Sequence, residues 1–242
     1  MATQDSDVKY PNTKLDSVHC EIRFYPLLEI DNKIVTFQKD LREFLPNYRI
    51  SKIVKRDNME IQELNEHTFS DEDGKNVLAI TNSTFIFSTN QYDRYSSFRE
   101  KYLSLSKEFF DLFKDIKQIL FLGLRYINKF EFDTKTESFE KILGYFNFSL
   151  DLDRLKEKKI ENFRLEERFE IGNANFKRTF FLQKNIQLNR YLLLLDLDSN
   201  YLNAELNSDK LKENLNTLHK NIKSEFNNSI TEACKQEILG LK

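Results

Sequence analysis

The 242-residue sequence has no tryptophan, five glycines, three prolines and two cysteines. Each scarcity excludes something. Five glycines leave little material for a phosphate-cradling loop, and no GxSxG elbow, P-loop or dinucleotide fingerprint occurs. Cys20 and Cys234 sit near opposite ends without CxxC spacing. That fits buried thiols in a reducing cytoplasm rather than a disulfide framework. His19, His67 and His219 match no metal-ligand spacing, and nothing points to a cofactor. No apolar run approaches the roughly 20 residues that span a bilayer. The start, Met1 to Asp7, is polar and acidic and does not read as a signal peptide. A formal charge of −2 argues against a general duplex-DNA binder, whose affinity comes largely from phosphate neutralisation.

What is abundant is aromatic, with 22 phenylalanines and 10 tyrosines in a chain that is 40% hydrophobic. Such a composition predicts a globular protein of one large domain or two small ones. The chain also nearly repeats itself. At an offset of 102 positions, Arg23 falls on Arg125, Glu29 on Glu131, Asp31 on Asp133 and Lys33 on Lys135. Phe37, Lys39, Leu41 and Phe44 fall likewise on Phe139, Lys141, Leu143 and Phe146, with no gap.

The element pattern follows the same rhythm. His19 to Tyr25 alternates as a strand with Cys20, Ile22 and Phe24 on one face. Ile34, Phe37, Leu41 and Phe44 keep helical spacing, and Pro46 closes that helix. Ile50 to Glu63 reads as one strand. Asp71 to Lys75 reads as a turn before Val77–Ile80, and Thr84–Ser88 as a further strand. Phe98, Tyr102, Leu105, Phe109 and Phe113 mark a long amphipathic helix. In the second half, Leu120–Phe132, Ile160–Ile171, Phe176–Gln183 and Arg190–Asp198 read as strands, with a short helix at Phe139–Phe146. The last helix, from near Ser208, carries Leu211, Leu215, Leu218, Ile222 and Phe226, the same steps as from Phe98 to Phe113. Ser229 and Glu232 have capping-box spacing, which predicts a break near Asn227-Asn228.

The predicted fold is α+β. Two duplicated β-α-β-β-β-α units form a largely antiparallel sheet with helices on one face, related by a pseudo-twofold axis. The predicted divisions are a flexible tail over 1–14, a first repeat over 15–118, a second over 119–227 packed with it as one domain, and a C-terminal helical tail over 228–242.

Three stretches carry a family resemblance. Tyr10-Pro11-Asn12 with Leu15, Val18 and Glu21-Ile22-Arg23-Phe24 is one. Leu122-Gly123-Leu124-Arg125-Tyr126-Ile127-Asn128 is the second, and Leu218-His219 to Phe226 with Ser229-Ile230-Thr231 the third. Together they resemble a sporadically distributed family of uncharacterised prokaryotic proteins, across nearly the whole chain. Lys14 stands where that family more often has proline, and the lack of tryptophan near Tyr92 to Phe98 is a second departure. The resemblance implies relatedness, a prokaryotic setting and a place among defence or mobile-element systems. It brings no activity.

Arg23 and Arg125 are the leading candidate site residues, equivalent under the repeat and expected on the face away from the helices. With Tyr25 and Asn128 they are candidates for gripping an anionic ligand or acidic partner. The competing reading pairs each arginine with a carboxylate such as Glu21, Glu131, Glu166 or Asp196. Ile230, Cys234 and Ile238 form an apolar stripe on the tail, a candidate partner helix. Asp151/Asp153 and Asp196/Asp198 have the i, i+2 spacing that can chelate Mg²⁺, but both read as strand ends beside turns, so no metal site is expected. Basic segments at Arg49–Arg56 and Arg154–Lys159 are flanked or interrupted by acids (Asp57, Glu157, Glu161) and read as solvated surface.

The sequence thus points first to a non-enzymatic interaction or adaptor protein in the cytoplasm, with a protein partner or a homodimer, no membrane and nucleic acid disfavoured. The alternative is a small-molecule or nucleotide-binding protein with its pocket between sheet and helices. Single-stranded nucleic-acid binding on sheet-face aromatics such as Tyr25 and Phe181 is a weaker one.

Overall fold

The computed structural model describes residues 10–57, 60–148 and 162–241, with the backbone alone at 55–57 and 60–62. In chain order the elements are β1 (Leu15–Arg23), α1 (Ile30–Leu41), β2 (Asn47–Asp57), β3 (Glu60–Ser70), β4 (Asn76–Ile80), β5 (Thr84–Thr89) and α2 (Tyr95–Leu112). There follow β6 (Phe121–Asp133), α3 (Phe139–Leu143), β7 (Asn162–Ile171), β8 (Ala174–Asn185), β9 (Arg190–Leu202) and α4 (Ser208–Ser229). A single π-helical turn, Cys234–Ile238, closes the described chain.

The described strands form one antiparallel sheet in the order β2-β3-β4-β5-β1-β6-β9-β8-β7. β1 and β6 lie side by side at its centre, with Glu21 opposite Gly123 and Arg23 opposite Phe121. On each side the last strand before the long helix returns next to the first strand, β5 beside β1 and β9 beside β6. The fold is α+β, as the sequence predicts.

Strand alternation decides the two faces. Cys20 and Ile22 on β1, Phe85 and Phe87 on β5, Leu122 and Leu124 on β6, and Leu195 and Leu197 on β9 are all fully buried. They meet α1, α2 and α4 in a single core. Phe109 on α2 is the hub of the first half, its ring 5.8 Å from Phe24, 5.7 Å from Phe37 and 4.8 Å from Phe85. Phe146, just after α3, does the same work in the second half, 5.1 Å from Phe130 and 6.0 Å from Phe180. Burying aromatics of this size dominates the stability of such a layer.

Several local expectations need correcting. Ile50 to Glu63 is not one strand but most of a hairpin. β2 and β3 pair from Asn47↔Ser70 to Asp57↔Glu60, and positions 58 and 59 between them lie outside the described residues. β9 does not stop at Asp198. It runs to Leu202, because Ser199 is buried and Asn175 donates to Asn200 at 3.3 Å across the ladder. The break after α4 falls at Ile230, and Ser229 is not its N-cap. Ser229 is the last residue of α4, fully buried, donating to the Glu225 carbonyl at 2.6 Å. Thr231 caps the final turn instead, its Oγ1 accepting from the Cys234 N–H at 3.3 Å.

Candidate functional site

The arginines singled out in the sequence lie on the face the helices leave open. Arg23 donates from Nε and a terminal nitrogen to Glu21 at 2.5 and 3.1 Å, and lies over the Phe121 ring at 4.4 Å. Arg125 makes a bidentate pair with Asp196, both bonds 2.8 Å. Both carboxylates are among those the competing reading names. Gly123 has a matching role: a Cβ there would stand 2.6 Å from the Phe121 ring. The glycine makes room for Phe121 to fold over it, and Arg23 covers that ring from the next strand.

Around this pair the open face is a network of matched charges. Lys177 lies 3.7 Å from Asp198. Burial pushes the Asp198 carboxyl above its usual range against the pull of Lys177. His19 sits between Ser17 (3.0 Å) and Ser88 (2.7 Å). Burial, with Arg125 beside it, lowers its pKa. Asp196 and Asp198 therefore serve as partners for cations. No cluster of three or more metal-ligating side chains occurs among the described residues. Asp151, Asp153 and the basic run Arg154–Lys159 lie outside the described residues.

The other candidates part company. Tyr25 is 65% exposed beyond the end of β1. Asn128 faces the helices, buried, its amide donating to the Leu195 carbonyl at 3.2 Å. The tail stripe points into the protein itself: Ile230 and Cys234 are buried, and Ile238 packs against the core. Ile230 forms an isolated bridge with Phe146, and the Thr231 N–H donates to the Tyr145 carbonyl at 3.0 Å. Burial raises the Cys234 thiol to about 12, which leaves it protonated and unreactive.

Asn128 opens onto the feature the sequence did not localise. A cavity of about 400 Å³ lies between the sheet and the helices, in the size range of small-molecule sites. Its sheet wall is Tyr126 and Asn128 of β6 with Leu197 of β9. α4 contributes His219, Ile222, Lys223 and Phe226. The start of α2 supplies Asp93, Arg94 and Tyr95 with the preceding Tyr92, and the chain before β1 closes the far side with Tyr10, Thr13, Lys14 and Leu15. That segment is held in place, since the Tyr10 hydroxyl donates to Asn227 at 2.8 Å and the Asn12 N–H to the Leu239 carbonyl at 3.1 Å.

Tyrosines organise the interior. The Tyr92 and Tyr126 hydroxyls are 3.0 Å apart, and the Tyr126 hydroxyl is 3.0 Å from His219 Nδ1. Tyr95 stacks on the His219 ring, centroids 3.8 Å apart and planes 4° from parallel. Burial, reinforced by Tyr92, holds the Tyr126 phenol well above its ordinary pKa, so it stays a neutral hydrogen-bonding group. Lys14, Arg94 and Lys223 outnumber Asp93 among the charged lining groups. Arg94 makes no side-chain cap to α2, and the start of that helix, at Arg94 and Tyr95, forms part of the cavity wall, where a helix N-terminus favours negative charge.

Fold and site together define an antiparallel α+β protein with an aromatic, net-cationic cavity at the junction of its two long helices. No family model matches the chain, and no curated protein matches it in sequence. No helix among the described residues is long and apolar enough to cross a membrane.

Proposed function

We propose that this chain is a small-molecule-binding protein whose site is the cavity between sheet and helices, and that its ligand joins a flat aromatic or apolar body to an anionic group. The observation that carries this reading is the convergence of distant segments. The cavity lining draws on all three stretches that carry the family resemblance: Tyr10 and Leu15, Tyr126 and Asn128, and His219 to Phe226. Apolar side chains (Leu197, Ile222, Phe226) suit the body of such a ligand. Lys14, Arg94, Lys223 and the start of α2 suit its anion. A nucleoside monophosphate is one molecule of this shape.

The same reading treats the chain as two copies of one unit about a pseudo-twofold axis passing between Glu21 and Gly123. Support comes from the shared strand order outward from β1 and β6 and from the matching apolar steps on α2 and α4. The first half, however, is β-α-β-β-β-β-α, one strand more than the β-α-β-β-β-α of the described second half. The gapless alignment does not hold throughout. Glu29 and Asp31 stand at the start of α1, whereas Glu131 and Asp133 end β6. The repeat resumes in register at Phe37/Phe139 and Leu41/Leu143, inside α1 and α3.

Calorimetric titration with AMP and with 8-anilinonaphthalene-1-sulfonate, two aromatic anions of different shape, tests the cavity reading. At least one is expected to bind at micromolar to millimolar Kd. A Lys14→Ala, Arg94→Ala double variant is expected to weaken that binding about tenfold, the cost of losing a charge-assisted contact. Failure of both anions to bind, or equal binding by the variant, would overturn the reading. A protein-interaction role is favoured by a separate observation, the outer edge of β2, which no described strand covers.

A further inference from the structure

We propose that the outer edge of β2 binds an extended acidic segment of a partner protein by strand addition. This rests on the sheet's rim and is independent of the cavity. β2 pairs with β3 along its whole length without a bulge, and no described strand lies on its other side. Every second N–H and C=O along that rim therefore points outward, unused by the ladder.

The two rims of the sheet differ. On β7, Glu166 takes Arg164 at 3.0 Å and Arg168 at 2.8 Å, so that rim neutralises its own charge. On β2, Arg49 is exposed, and Lys52 meets Glu63 of β3 loosely, at 3.6 Å with both side chains mostly in water. Between and beyond these cations stand Ile50 and Val54, 50% and 61% exposed. They share one face of the strand with Lys52, while Arg49 is on the other. On the inner side, β3 places Thr68 and Asn65 opposite Arg49 and Lys52, with Glu66 and Glu63 opposite Ser51 and Val54. A strand added outside could supply what β3 does not: apolar residues beside Ile50 and Val54, and carboxylates beside Lys52 and Arg49. The root of the edge is fixed for such docking. The Tyr48 hydroxyl is 2.9 Å from His67 Nδ1, and His67 Nε2 is 2.7 Å from Asp31 of α1, so β2 is tied through β3 to a helix.

The test is fluorescence anisotropy with a labelled peptide, Thr-Val-Thr-Glu-Thr-Val-Glu-Thr, titrated with the full chain. Saturable binding is expected, weakened about tenfold or more when both glutamates are replaced by lysine. Backbone N-methylation at alternate residues, in at least one of its two phases, is expected to weaken it as much, because strand addition needs those N–H groups. An Arg49→Glu, Lys52→Glu protein with an unchanged circular dichroism spectrum is expected to lose binding to the same degree. No binding up to about 1 mM overturns the proposal. So does undiminished binding of both N-methylated peptides, which would mean charge attraction without a ladder. Binding of a uridine oligonucleotide at this edge in place of the peptide would overturn it in favour of nucleic acid.

Discussion

Charges on the open face are paired, and the burial of two titratable groups among them makes stability depend on pH in two opposite directions. His19 has a lowered pKa from burial and from Arg125. The unfolded chain takes up that proton near 6.5, while the folded chain resists it. Its contribution is therefore present above pH 6.5 and is lost as pH falls through the folded value. Urea unfolding is expected to show lower stability at pH 5.5 than at pH 7, and His19→Asn to reduce that difference. Asp198 is the reverse case. Burial raises its pKa, so the folded state favours the neutral acid, and stability declines as pH rises through that value. Asp198→Asn is expected to leave stability at pH 7 unchanged or higher, whereas Asp196→Asn, which breaks the bidentate pair with Arg125, is expected to lower it. Loss of stability in the first variant by as much as in the second would contradict this. The sequence marked Arg23 and Arg125 as equivalent and exposed to solvent on a shared face. Their partners were legible only as a choice among four carboxylates, because cross-strand register is set by the whole sheet.

Elements were read best where periodicity is long and worst where a short polar turn decides. The stripe from Phe98 to Phe109 marks α2 unmistakably, since only a helix puts residues three and four apart on one face. The β2–β3 hairpin is hidden in the sequence because apolar residues recur from Ile50 to Leu64 without a glycine or proline to divide the run. The signal that could have found it is the polar Asp57-Asn58 pair inside an otherwise extended run. The displaced cap after α4 has a similar origin: Ser229 and Thr231 both offer a hydroxyl, and burial beside Arg178 decides between them. Arg178 of β8 reaches Glu167 at 2.7 Å, and Glu225 and Ser229 of α4 at 3.2 Å each. Arg178→Ala is expected to destabilise by roughly 2–3 kcal/mol, since two half-buried carboxylates lose their cation. Thr231→Ala is expected to cost about 1 kcal/mol, as for other helix caps. It should mainly speed hydrogen exchange in the closing turn, which a Ser229-based cap would not allow.

At the scale of the molecule, one sheet and one core run through both halves. The β1–β6 ladder joins them on one layer. On the other, α2 meets α4 through Tyr95, whose hydroxyl donates to Asn216 at 3.1 Å. Unfolding is therefore expected to be a single transition, with circular dichroism and tyrosine fluorescence coincident, as for other continuous cores. Two separated transitions would mean that the halves are autonomous. The cavity belongs to this scale as well, because it exists only where the segment before β1, the start of α2, β6 and α4 come together. The sequence foresaw a pocket between sheet and helices as one alternative, yet expected its markers to be the arginines. It could not locate the cavity, since the lining residues are spread from Tyr10 to Leu239. The most direct measurement is an amide chemical-shift map during titration with AMP. Shifts are expected at Lys14, Leu15, Tyr92 to Tyr95, Tyr126, Asn128 and His219 to Asn227. Shifts centred on Arg23, Arg125 and Asp196 instead, with the cavity residues still, would contradict the account.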